Sequence, residues 1–113
     1  MQNIDFENRR IYERVPAKLS LRLFDLSSNR HSIAQAQDIS AQGIGVLTDK
    51  KLQPLNPLEM WLPILNKGES LYARGKIVWS KMIESNKYSA GVKLEEVDFT
   101  GIRQLIWGYI MKI

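Results

Sequence analysis

Leu71-Tyr72-Ala73-Arg74-Gly75-Lys76-Ile77-Val78-Trp79 is the longest run of alternation in the chain. Leu71, Ala73, Gly75, Ile77 and Trp79 fall on one side and Tyr72, Arg74, Lys76 and Val78 on the other, the period-two pattern of a strand with one face in a core. Working outward, the turn-forming Asn66-Lys67-Gly68 precedes this run, and before it Leu58, Met60 and Leu62 alternate with Glu59 and Trp61 until Pro63. Pro54-Leu55-Asn56-Pro57 punctuates a loop ahead of that segment. On the other side, Ser85-Asn86-Lys87 leads into Tyr88, Ala90, Val92 and Leu94 set against Ser89, Gly91 and Lys93. In the first half, Leu19, Leu21 and Leu23 alternate with Lys18, Ser20 and Arg22. A polar turn at Ser27 to Arg30 then leads to Ala34 and Ala36 against Gln35 and Gln37 up to Asp38, and Ile44 to Leu47 continue. The period changes only near Asp98 or Thr100. From there Ile102, Leu105, Ile106, Tyr109, Ile110 and Ile113 fall at three- and four-residue steps, a helix with Asp98 as N-cap candidate and Lys112 at its negative end.

Six short strands with turns between them and no helical crossovers predict antiparallel pairing and closure. The expected fold is therefore all-β with a C-terminal helix, a six-stranded antiparallel β-barrel. Residues 1–16 show no alternation and end in Val15-Pro16, so they read as a flexible N-terminal arm, with the barrel and helix filling 17–113.

The composition suits a single globular domain: 113 residues, 44% apolar and 25% charged, with no cysteine. Disulfides, thiolate nucleophiles and cysteine-bound zinc are excluded. His31 is the only histidine, so no histidine cluster can hold a metal, and no metal site or cofactor is expected. Gly68 and the later Gly75-Lys76 are too far apart for a phosphate loop, and no helix follows them. Glu95, Glu96 and Asp98 form a short acidic run that reads as solvated or helix-capping rather than catalytic. The protein is not expected to be an enzyme. With no apolar stretch long enough to cross a bilayer and no apolar leader, a cytoplasmic location without membrane insertion is expected. A net charge of +4 favours an anionic partner, and because Arg9, Arg10 and Arg14 are gathered in the arm, a compact anion fits better than a nucleic acid polymer.

Two motifs name the candidate site: Arg10-Ile11-Tyr12-Glu13-Arg14, and Asp38-Ile39-Ser40-Ala41-Gln42-Gly43 ahead of an apolar run. Guanidinium groups offer a planar fork of donors that matches phosphate or the O6/N7 edge of guanine. Asp38 can accept hydrogen bonds from the N–H groups of a ligand or orient an arginine, and the Ser40 hydroxyl can donate or accept. Gly43 can take positive φ and turn the backbone tightly beside a ligand.

In this order, inside a chain that reads all-β to a final helix, the two motifs resemble the signature of PilZ domains. Arg74-Gly75-Lys76-Ile77-Val78-Trp79 and Tyr88-Ser89-Ala90-Gly91-Val92-Lys93-Leu94 resemble the second half of that barrel, with Leu94 where the family often has Phe. The resemblance implies a receptor for cyclic di-GMP, bound by Arg9, Arg10, Arg14, Asp38, Ser40, Gly43 and Gly91. It further implies an arm that becomes ordered on binding, and a protein target such as a flagellar motor, secretion or polysaccharide-synthesis component. The alternative is a PilZ-fold protein–protein interaction adaptor that does not bind nucleotide. Trp61 and Trp79 are candidates for stacking on a base or for packing, and Trp107, off the helix's apolar stripe, for a contact patch or for packing against the barrel.

Overall fold

The computed structural model describes residues 12–64 and 68–111. Six strands appear in chain order: β1 Val15–Asp25, β2 Arg30–Ile39, β3 Gly43–Thr48, β4 Pro57–Pro63, β5 Ser70–Glu84 and β6 Lys87–Val97. One helix, α1, spans Phe99–Ile110. The strands close into a barrel in the order β1-β2-β3-β6-β5-β4, every pair antiparallel. Closure satisfies the backbone of each strand on both sides over the barrel wall and leaves little open edge.

The alternation read from the sequence is what fills the interior. Leu21 and Leu23 of β1, Met60 and Leu62 of β4 and Ala73 and Ile77 of β5 are buried. Ala34 and Ala36 are the small inward residues of β2, which leaves room for the larger side chains across the barrel. Residues Ile102, Leu105 and Ile106 of α1 join the same core, and the helix lies against β1. Its N-cap is Asp98, whose side chain accepts a hydrogen bond from the Gly101 N–H at 2.8 Å. Trp107 is half-buried and packs on the core, so the packing alternative holds for it. The positions of Lys112 and Ile113 lie outside the described residues.

Turn chemistry follows the sequence. Asp25 accepts from the N–H groups of Ser27 and Ser28 at 2.9 and 3.3 Å. The turns close on Asn29 and Asn86, both at positive φ of 59° and 58°, a conformation asparagine tolerates better than most residues. His31 is the second residue of β2 and lies opposite Phe24, the two rings 4.5 Å apart.

Two boundaries and one register differ from the reading of the sequence. β1 begins at Val15, so Val15 and Pro16, assigned to the arm, already pair with Ile39 and Asp38; proline is tolerated at a strand's start, where its missing N–H costs little. β5 does not end at Trp79 but runs on to Glu84, forming a ribbon with β6 that outlasts β4. The register of β5 shifts between Ile77 and Trp79. That bulge turns Trp79 from the inward row to the exposed surface, breaking the period that the sequence alone presents.

Candidate functional site

A bulge also creates the site. On β2, Ala34 and Ala36 point inward, and strict alternation would bury Asp38 beside them. The register shifts between Ala36 and Asp38. As a result Ile39 enters the core and Asp38 stays partly exposed on the outer wall. A carboxylate is thereby kept in water and aimed at the chain's N-terminal segment.

Past Asp38, the chain turns through Ser40-Ala41-Gln42-Gly43. Ser40 is only 4% exposed. Its Oγ accepts from the N–H groups of Gln42 and Gly43, each at 3.2 Å, and its own N–H donates to the Gly43 carbonyl at 2.9 Å. The hydroxyl therefore orders the turn that presents its neighbours. Gly43 is required for a different reason from the one expected. Its φ is not positive; instead a Cβ there would lie 2.7 Å from the Val92 carbonyl oxygen, closer than packing allows.

Arg14 stands just before β1 and reaches this corner. Its Nη1 donates to Asp38 Oδ1 at 2.5 Å, with both side chains partly exposed, and its Nη2 lies near the open face of Gly43. The structure thus joins Arg14, Asp38, Ser40 and Gly43, which are scattered in sequence. Arg9 and Arg10 lie outside the described residues.

Gly91 sits one strand over, and the register explains its company. Asp38 is opposite Gly45, Gly45 opposite Gly91, and Gly91 opposite Trp79. A Cβ on Gly45 would come within 2.9 Å of Asp38 Oδ1, and one on Gly91 would collide with the Trp79 indole. The two glycines form a bare floor, with a carboxylate leaning over one end and an indole over the other. Gly45 escapes a reading of the sequence because its role depends on pairing between strands, which no local pattern announces.

Beside this row opens a cleft of about 680 Å³, lined by Arg14, the Ser40 to Gly43 turn, Tyr12, Val78 and the Val92 to Leu94 stretch of β6. Lys93, exposed on this rim, adds a second positive charge next to Arg14. Tyr12, Ala41 and Gln42 within the motifs, and Val78, Val92, Lys93 and Leu94 outside them, line the cleft without having been named as site candidates. A cleft of this size, open to solvent, with guanidinium, ammonium, backbone and hydroxyl groups beside apolar walls, suits a flat, anionic, hydrogen-bonding ligand. A separate cavity of about 510 Å³ near Ser85 to Lys87 contains none of the motif residues.

Elsewhere the polar groups are absorbed by the fold. Lys76 pairs with Glu95 at 3.6 Å, and Asp98 caps α1. Among the described residues there is no group of three or more His, Cys, Asp or Glu side chains placed to hold a metal. No described helix is long and apolar enough to cross a membrane. Trp61 is engaged on the outer wall, under the Arg22 guanidinium at 4.8 Å and tilted against Tyr72 at 5.5 Å.

Solved structures of similar shape carry the same barrel. The Bacillus subtilis inhibitor of motility (MotI/DgrA) superposes with a TM-score of 0.71 at 19% identity over 89% of this chain and 49% of the other. The chain thus spans about half the length of that protein. The PilZ domain of CeSA from a cellulose-synthesizing bacterium gives a TM-score of 0.59 at 16% identity, covering 88% of this chain and 96% of the other. No curated protein matches the sequence. The family model of the PilZ domain matches residues 8–112, which takes in both motifs, all six strands and the helix, and the chain belongs to that family.

Proposed function

We propose that this PilZ domain is a receptor for cyclic di-GMP, which binds in the cleft between Arg14 and the Ser40 to Gly43 turn. The observation that carries the reading is the ion pair of Arg14 with Asp38, whose arginine lines the 680 Å³ cleft together with the Ser40 to Gly43 turn. Arg14 presents its guanidinium to a phosphate or a guanine edge, and Asp38 accepts from guanine N–H groups or steadies Arg14. Gly43 leaves the wall bare beside Arg14, and the exposed Trp79 indole, which lies over Gly91, can stack on a base. Arg9 and Arg10 supply further cationic donors as the N-terminal arm folds over the ligand. Charge-assisted contacts of about 1.5–3 kcal/mol each offset the entropy of ordering that arm. The ligand-ordered surface then engages a protein target, of which a motor, secretion or polysaccharide-synthesis component is the expected class. The site is suited to binding rather than to bond chemistry, because the polar groups near the cleft form an ion pair and a capped turn, not a nucleophile activated by a base.

A second reading has two observations in its favour. Arg14 is already satisfied by Asp38, and Trp79 already covers Gly91, so the surface is complete without nucleotide and suits an adaptor that binds protein alone. Calorimetric titration with cyclic di-GMP, cyclic di-AMP and GTP separates the two. The receptor gives saturable heat with cyclic di-GMP and much weaker binding of the others; heat with none of the three leaves the adaptor.

A further inference from the structure

We propose that the free edge of β5 beyond the barrel wall is a self-association surface, on which a second copy of the chain pairs its own β5 antiparallel to form a two-fold dimer. β4 covers β5 only from Ser70 to Lys76. One residue further, Ile77 is still covered on that side: its N–H donates to the Asn56 carbonyl at 3.1 Å and its carbonyl accepts from the Leu55 N–H at 2.7 Å. Leu55 makes this plug at a φ of 74°, a conformation unfavourable for a leucine. From Val78 to Glu84, no described residue pairs with that edge; these residues face only β6 on the other side.

Unpaired strand edges are templates for another strand, and most proteins blunt them with charge or proline. Here the segment Val78-Trp79-Ser80-Lys81-Met82-Ile83-Glu84 contains no proline and carries charge only at Lys81 and Glu84, while Val78, Trp79, Met82 and Ile83 are all exposed, Met82 at 63%. Four large apolar side chains within seven residues is a costly surface to leave in water.

The side chains are self-complementary in one register. With Ser80 opposite Ser80 of the second copy, Trp79 faces Lys81 and Val78 faces Met82, and the same pairs repeat by symmetry. That gives an ammonium beside an indole and an apolar contact, each twice. Shifting the axis to Lys81 would place two ammonium groups face to face. The pairing also closes on itself. The register shifts between Ile77 and Trp79 and between Met82 and Glu84 bracket the free segment, and the far edge of β6 is occupied by β3, so a dimer forms and no open-ended fibre follows.

The test is sedimentation velocity of the full chain at rising concentration, with single-cysteine trapping, which the cysteine-free sequence permits. The wild type is expected to double in mass reversibly. Met82→Lys is expected to move the midpoint to at least about tenfold higher concentration, while Ile33→Lys, a change at an equally exposed apolar residue off this edge, leaves it in place. An oxidised mixture of Val78→Cys and Met82→Cys chains is expected to cross-link between copies in preference to Lys81→Cys alone, since directly opposed, exposed residues lie within disulfide reach. Circular dichroism of each variant confirms that the barrel is retained. A chain that stays monomeric throughout overturns the proposal. So does a dimer indifferent to Met82→Lys, cross-linking that favours position 81, or association that appears only after residues 1–11 are removed.

Discussion

Arg14 is the residue on which the functional reading turns, because its guanidinium is held by Asp38 at the edge of the cleft rather than dispersed in solvent. Removing it deletes charge-assisted contacts and leaves Asp38 to repel an anionic ligand. Arg14→Ala is therefore expected to weaken cyclic di-GMP binding about ten- to a hundredfold by calorimetry, with little change in thermal stability, since an exposed pair contributes at most about 1 kcal/mol. Gly43 behaves in the opposite way. A methyl group there meets the Val92 carbonyl at 2.7 Å, so Gly43→Ala should destabilise the fold by about 1–3 kcal/mol in urea titration, as overpacking does. Arg14 and Asp38 could be nominated from the two motifs in which they stand. Gly45 could not, because only the pairing of β2 with β3 places it beneath Asp38, and the positive φ anticipated for Gly43 gave way to a close approach between strands.

At the scale of single elements, hydropathy alternation located five of the strands, each with one wet and one buried face, while β3 was read from a short apolar run and the helix from its three- and four-residue steps. What it could not locate were the bulges. A bulge inserts one residue and reverses every later side chain, and nothing in the local composition of Gln37 or Val78 marks it. Asp38 and Trp79, the two outward-facing walls of the glycine floor, both owe their positions to such shifts. The helix start was legible because Asp98 has the chemistry of a cap; Asp98→Ala should cost about 0.5–2 kcal/mol in chemical denaturation. On the outer wall of β4 and β5, the Tyr72 hydroxyl donates to Glu59, and this hydrogen bond, with burial and the nearby carboxylate charge, raises the phenol's pKa above its ordinary 10.0. The fold favours the neutral phenol, so its contribution is intact below about pH 10 and is lost as pH rises through the raised value. Absorbance titration should show late-ionising tyrosine signal in the wild type, reduced in Tyr72→Phe; Tyr109, raised by burial, supplies the remainder.

Across the whole molecule, the barrel separates a buried core from a surface that carries the cleft and the free edge of β5, which meet at Val78 and Trp79. Met60 is fully buried at its centre, and Met60→Ala should cost about 2–5 kcal/mol without abolishing cyclic di-GMP binding in chain that remains folded. The corner of Arg14 and the Ser40 to Gly43 turn lies at one end of β1, and a second basic group, Arg30, Lys50 and Lys51, lines a smaller cavity of about 260 Å³ with Asp25 at the other end. The place where nucleotide binds therefore decides between two basic surfaces. An amide chemical-shift titration with cyclic di-GMP reads that place directly. A receptor built on the Arg14 corner gives saturable shifts concentrated at Arg14, Asp38 to Gly43, Gly91 and Lys93, together with the Trp79 indole. Unchanged spectra, or shifts confined to Arg30, Lys50 and Lys51, would contradict it.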